Sequence, residues 1–258
     1  MNSPVRVLEN FGVSNATLRP LENTQNTNHA VTTAAGERYL LRQHRAEALS
    51  TQMLESELIW LAYLRAAKLE GQRPVALPSG NFVLEDETGR FSLLTWLEGE
   101  VLETIDAARA MVAGAFMARL HEASAAFEPP VGFTRPRYDP RSLEVTLEEL
   151  RNLAWLRDDL PLFERSMARA SAAFIEGATP WGLIHADLHS GNMIWQGSGL
   201  AVIDFDRCGF GPLGFDISTA LGYLEDEARA AFLDGYKSVL PSRMVSRRSA
   251  RRSRWRSG

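Results

Sequence analysis

Residues 182–206 read GLIHADLHSGNMIWQGSGLAVIDFD, and three polar side chains in that stretch decide how the rest of the chain is read. Asp187 stands five residues before Asn192, and Asp204 follows after a segment patterned as a short hairpin. Its arms are Met193-Ile194-Trp195 and Leu200-Ala201-Val202-Ile203, and its turn is Gln196-Gly197-Ser198-Gly199. Apolar strands joined by a Gly-rich turn fold back on themselves, so Asn192 and Asp204 are expected at adjacent strand ends with Asp187 nearby. Taken singly, each has an ordinary reading: an Asp in a turn, an Asn in a loop, an Asp ending a strand. The hairpin is what gathers them.

These spacings match the H-R-D-x-x-x-x-N loop and D-F-G site of kinases, with Ala186 in place of the Arg and Asp206 in place of the Gly. Phosphoryl transfer needs few groups. Asp187 is the candidate that orients and deprotonates an acceptor hydroxyl, while Asn192 and Asp204 offer an amide oxygen and a carboxylate to Mg²⁺. His185 reads as a packing residue under the loop. His189 stands where protein kinases usually carry Lys, two residues after the catalytic Asp, and either contacts the transferring phosphate or braces the loop. Asp206 either touches a second metal or caps the following turn. Asp216 is expected at a helix N-cap, bracing the loop by accepting backbone hydrogen bonds.

Working outward towards the N-terminus, residues 16–42 alternate as strands around a polar loop, Glu22 to Asn28. A helix is expected from about Leu49 to Lys68, then an antiparallel pair over residues 81–85 and 90–96. Leu97-Glu98-Gly99-Glu100 breaks the pattern as a candidate hinge. Beyond it, helices are expected over 104–127, over 142–176 with a break at Pro161, and over 216–236. Arg42, ending Tyr39-Leu40-Leu41-Arg42, falls where kinases place a strand Lys against nucleotide phosphates. Glu57 is its preferred helix partner, because it lies among Met53, Leu61 and Leu64 by helical angle; Glu55 is the competitor. The 22–28 loop lacks phosphate-cradling glycines, leaving Asn26, Thr24 and Asn28 as side-chain donors.

With these residues in view, the chain resembles the aminoglycoside phosphotransferase and choline kinase-like family, over roughly residues 15–240. The family's catalytic stretch typically reads His-Gly-Asp-Leu-His-x-x-Asn, then Ile-Asp-Phe/Trp; here it is His185-Ala186-Asp187-Leu188-His189-Ser190-Gly191-Asn192, then Ile203-Asp204-Phe205. Within the family the sequence looks most like the bacterial branch with homoserine kinase-like and stress-response Ser/Thr kinase-like members. The resemblance implies an α+β, bilobal protein-kinase-like fold with a small β-rich N-lobe and a mainly helical C-lobe. It implies ATP or GTP with Mg²⁺, a small-molecule hydroxyl acceptor, Asp187 as base, and Asn192 and Asp204 as metal ligands. The lobes are expected at 1–98 and 99–242, with 243–258 a separate tail. Glu22 and Asn23 stand where relatives often have a Gly pair. Relatives also continue for several helices after the Asp216 helix; here an Arg/Ser-rich segment follows, so the C-terminal helices are expected to be missing.

Composition bounds the alternatives. An apolar fraction of 45% and a charged fraction of 23% over 258 residues are those of an ordinary globular protein. No apolar run approaches the about 18 residues of a membrane span, and the start lacks the order of a secretory signal. Cys208 is the only cysteine, which excludes an intramolecular disulfide and fits a reducing cytoplasm. The net charge of −4 gives no reason to expect nucleic acid; the seven arginines after Ser242 are the one hint of it. That segment reads more simply as a low-complexity end. A small-molecule kinase is therefore expected first. A stress-response type Ser/Thr protein kinase is second, and a truncated, catalytically impaired nucleotide-binding protein is third. Neither the acceptor nor the oligomeric state is written in these motifs.

Overall fold

Alternating apolar and polar residues in the first third of the chain form an antiparallel sheet, and Ala- and Leu-rich segments form helices beyond it. The structure is a computed structural model that describes residues 4–21, 26–45, 49–175 and 179–240. Glu22, Asn23 and Thr24 of the polar loop, and the Arg/Ser-rich segment 243–258, lie outside the described residues. In chain order the elements are α1 (Pro4–Asn10), β1 (Ala16–Pro20), β2 (Thr27–Thr33), β3 (Arg38–His44), α2 (Thr51–Ala66), β4 (Val83–Asp86) and β5 (Gly89–Thr95). There follow α3 (Ala107–Ala126), α4 (Pro140–Arg151), α5 (Leu160–Ala173), β6 (Trp181–Ile184), β7 (Met193–Gln196), β8 (Gly199–Val202), β9 (Gly209–Pro212), α6 (Leu213–Gly222) and α7 (Asp226–Val239). The result is a mixed α+β fold with a β-sheet N-terminal region and a helical C-terminal region. Contacts divide the described residues into two compact units: those within 4–101, 129–134 and 193–206, and those within 102–128, 135–192 and 207–240.

In the first unit the sheet runs in the order β1-β2-β3-β5-β4, antiparallel throughout. The register sets Leu41 opposite Leu93 and Arg42 opposite Ser92, so successive residues of β3 point to opposite faces. Val31, Leu41, Phe91 and Leu93 form one core face, which Val7 and Leu8 of α1 and Phe11 just after it cover. Arg42, His44 and Ser92 are buried on the other. Helix α2 buries Leu54, Leu58, Leu61 and Leu64, a helical-period stripe, and starts where the Ser50 side chain accepts the Met53 N–H.

The β7–β8 hairpin belongs to this same unit. Met193 pairs with Val202 and Gly197 turns at a φ of 64°. Trp195 exchanges backbone hydrogen bonds with Glu100, 2.8 and 3.0 Å long, and the Val202 N–H reaches the Glu70 carbonyl. Gly99, the glycine of the expected hinge, has a φ of 147°, and a Cβ there would overlap the Trp195 carbonyl.

In the second unit, α3 begins at Asp106, whose side chain accepts the Arg109 N–H. Helix α7 lies close along α3: Gly114 sits against the Phe232 carbonyl and Gly235 against the Met111 carbonyl, with no room for a Cβ at either. Strands β6 and β9 pair, carrying the chain into the 185–192 loop. Two helical expectations are revised. The 142–176 stretch breaks over residues 152–159, and Pro161 sits in the first turn of α5, where a residue needs no N–H. The 216–236 stretch is two helices, α6 ending at Gly222. Because α6 begins at Leu213, Asp216 lies in its first turn rather than at the cap.

Candidate functional site

Arg42 leaves β3 on the face that α2 covers. Its Nη1 lies 3.6 Å from Glu57 Oε1 and its Nη2 lies 3.9 Å from Asp204 Oδ1. Glu55 is engaged elsewhere, accepting the Phe82 and Val83 N–H groups at 2.9 Å. Both Arg42 separations exceed hydrogen-bond length, so one guanidinium faces two carboxylates loosely. Arg42 Nε is buried without a hydrogen-bond partner among the described residues, as is Asn28 Oδ1 directly across the ladder. Asp204 has a φ of 63°, a left-handed conformation that costs a non-glycine residue energy, and its side chain is 42% exposed. Asn26 is half-buried just before β2.

Two residues beyond Arg42, His44 Nε2 lies 3.0 Å from Ser92 Oγ. Burial, then the cations of Arg42 and Arg90, push the His44 imidazole down to about 3, so it is neutral.

In the second unit, β6 delivers His185 into the loop. Asp187 is half-buried; its N–H donates to His185 Nδ1 at 3.2 Å, and its Oδ2 lies 3.6 Å from Arg207 Nε. Asn192 is buried and its Nδ2 donates to the Asp187 carbonyl at 2.9 Å, which leaves Oδ1 as the amide's unused acceptor. His189 Nδ1 accepts the Gly191 N–H at 3.1 Å, so in the neutral ring the proton sits on Nε2. That Nε2–H faces Asn192 Nδ2 at 3.3 Å, a donor opposite a donor.

Asp216 holds this loop from beneath. Its carboxylate accepts the His185 N–H at 3.0 Å, the Ala186 N–H at 2.8 Å and His121 Nε2 at 3.0 Å. His121 Nδ1 meets the Tyr236 hydroxyl at 2.8 Å, so α3, α6, α7 and the loop share one buried network. Burial alone would raise the Asp216 carboxyl; the hydrogen bond and charge of His121, with the His185 contacts, hold it below the usual range. Ala186 has a φ of 66°, an unusual conformation for a residue with a Cβ.

Each compact unit therefore gathers part of the expected set: Arg42, Glu57 and Asp204 in the first, Asp187, His189 and Asn192 in the second. Sequence reading gave no role to His44, His121, Tyr236 or Arg207. A single histidine on the apolar face of the Ala-rich α3 was the available sign for His121. A cation closely following Ile203-Asp204-Phe205 was the sign for Arg207.

The profile of the phosphotransferase enzyme family matches residues 17–244. The uncharacterized protein sll1119 of Synechocystis sp. is 28% identical over 230 residues, 82% of this chain and 62% of that protein. The chain thus spans less than two thirds of that relative's length. Homoserine kinase of Neisseria meningitidis serogroup B is 29% identical over 227 residues, covering 84% of this chain and 71% of that enzyme. Among solved structures, amicoumacin kinase hAmiN in complex with AMP-PNP, Ca²⁺ and Ami aligns with a TM-score of 0.78. The alignment covers 92% of this chain and 78% of that one at 20% identity, a likeness of fold. The profile match over most of the sequence places the chain in a family: it belongs to the phosphotransferase enzyme family.

Proposed function

We propose that this protein transfers the γ-phosphoryl group of ATP to a hydroxyl of a small molecule such as an amino alcohol or an aminoglycoside. The observation that carries this reading is the hydrogen bond from Asn192 Nδ2 to the Asp187 main-chain carbonyl, which holds a metal-type amide beside a residue whose carboxylate is half-buried, in a loop clamped by Asp216. Asp187 orients the hydroxyl and takes its proton as the oxygen attacks phosphorus, and ADP leaves. Asn192 Oδ1 and Asp204 suit Mg²⁺, a hard cation that takes one or two carboxylates and completes its shell with water and phosphate oxygens. Among the described residues no three His, Cys, Asp or Glu gather as a cage, and Mg²⁺ bound with phosphates needs none. When bound, Mg²⁺ neutralises charge on the transferred group.

Arg42, facing Glu57 at 3.6 Å, is assigned to the nucleotide phosphates, with Asn26 as a side-chain donor. The His189 Nε2–H, which Asn192 Nδ2 cannot accept, is assigned to a phosphate oxygen. The AMP-PNP and Ca²⁺ named for hAmiN support a nucleotide and a divalent cation, and the Neisseria homoserine kinase supports a small hydroxyl acceptor. No helix among the described residues is long and apolar enough to cross a membrane, and a cytoplasmic setting is proposed on the single cysteine of the sequence.

The test is an ATP-consumption screen over L-homoserine, amino alcohols and aminoglycosides, with Asp187→Asn as the control. Turnover is expected to fall by about two orders of magnitude or more on that substitution. A variant as active as the parent ends the assignment, and label from γ-labelled ATP appearing on protein moves the reading to a protein kinase.

A further inference from the structure

Arg207 belongs to none of the motifs that mark the loop, yet its Nε lies 3.6 Å from Asp187 Oδ2, within the same compact unit. Its starting point is held firmly. The Arg207 carbonyl accepts the Tyr138 hydroxyl at 2.6 Å, and the Tyr138 N–H donates to the Phe210 carbonyl at 2.7 Å. Arg135 Nε donates to the Cys208 carbonyl at 2.8 Å. Burial, helped by neighbouring Cys208, pushes the Tyr138 phenol up to about 12, so its hydroxyl keeps the proton it donates. The backbone around Arg207 is thus pinned to residues 135–138, while the side chain is 58% exposed.

Fold stability does not account for that arrangement. An ion pair this exposed contributes about 0–1 kcal/mol. At 3.6 Å the pair is also longer than a hydrogen bond, and the guanidinium has no other side-chain partner among the described residues. Its five N–H donors are therefore available beside the very carboxylate assigned to the acceptor hydroxyl.

We infer that Arg207 is a further catalytic residue: it binds the equatorial oxygens of the phosphoryl group in transfer and the phosphate ester that results. The inference rests on the reading of Asp187 as the group that takes the hydroxyl. A hydroxyl held by Asp187 has its oxygen about 2.6–3.2 Å from the carboxylate. The phosphorus it attacks is one bond further on, which brings the phosphoryl oxygens within reach of a guanidinium paired to the same carboxylate. In the step, the O–P bond to the acceptor forms as the bond from Pγ to the β-phosphate oxygen breaks. The hydroxyl proton passes to Asp187 and ADP leaves. Negative charge is spread over three equatorial oxygens in transit, and the ester formed is dianionic. A planar fork of donors matches those oxygens, and a point-charge ammonium matches them less well.

The experiment measures binding rather than turnover, on the full chain: titration with MgADP alone, then with MgADP plus aluminium fluoride, a planar mimic of the phosphoryl group. In the parent, aluminium fluoride is expected to tighten MgADP binding. In Arg207→Ala, MgADP alone should bind within twofold of the parent, and the tightening should fall at least tenfold. Arg207→Lys should recover part of it, and methylguanidine should restore part of it to Arg207→Ala while leaving the parent unchanged. Tightening in Arg207→Ala equal to the parent's overturns the inference, as does a parent that binds MgADP and gains nothing from aluminium fluoride. A parent that does not bind MgADP at all overturns the kinase reading itself, and the inference with it.

Discussion

The two compact units each hold a buried network of charged groups, and the two differ in how fully they are satisfied. In the second, Asp216 accepts three hydrogen bonds of 2.8–3.0 Å, and His121 passes the chain on to Tyr236. In the first, Arg42 faces Glu57 and Asp204 at 3.6 and 3.9 Å, with Arg42 Nε lacking a hydrogen-bond partner among the described residues. A network with short bonds and complementary donors is a finished structural element. A cluster with long separations and an orphaned donor is less complete, which is why the cation and the phosphate are proposed there. Rigidity lies under the 185–192 loop, and slack lies around Arg42.

The sharpest way to break that contrast is Asp216→Ala. It strands the His185 and Ala186 N–H groups and His121 in a dry interior. Loss of one partner from a buried charged network costs about 3–5 kcal/mol, which urea unfolding of the variant would read directly. A loss below about 1 kcal/mol would mean the network is replaceable packing and the contrast is false.

The next effect lies in the first unit and is read by pH. The His44 imidazole, pushed down to about 3 in the folded chain, stays neutral there while the unfolded chain titrates at about 6.5. Between those values the unfolded state binds more protons, so stability rises with pH and is lost as pH falls through the window. Lowering the pH from 7 to 4.5 should cost about 3 kcal/mol from this one residue. Chemical denaturation of the parent and of His44→Asn across that range should diverge, the parent being the steeper. Parallel curves would remove His44 from the account.

How much of this could be read in advance depends on whether the signal is local. The β4–β5 and β7–β8 hairpins and helix α2 follow from period, turn glycines and a cap within a few residues. Helix α1 is only Pro4–Asn10, too short for periodicity to stand out; Val7, Leu8 and Phe11 make sense only with the sheet beneath them. The division between α6 and α7 is equally tertiary, because apolar residues continue through Gly222 and Tyr223. At the site, Asp187, Asn192 and Asp204 are close in sequence and therefore visible as a pattern. His121 lies on a different helix from Asp216, and Arg207 reaches Asp187 only because residues 135–138 pin its backbone. Nothing in local spacing reports either.

The smallest of the effects isolates the slack cluster itself. Arg42→Met keeps most of the side chain's length and packing but removes its charge, and with it the guanidinium assigned to phosphate. The ion pairs lost are long, but the change also takes a cation from the buried Glu57, so the unliganded chain is expected to lose some stability, less than Asp216→Ala does. MgADP affinity, by contrast, should weaken about tenfold, or 1.4 kcal/mol, for want of that contact. Calorimetric titration paired with urea unfolding separates the two quantities. An Arg42→Met chain that binds MgADP as the parent does, yet unfolds as readily as Asp216→Ala, would show that both networks serve the fold alone. A variant that binds weakly and stays folded would place the nucleotide in the first unit and leave structural support to the second.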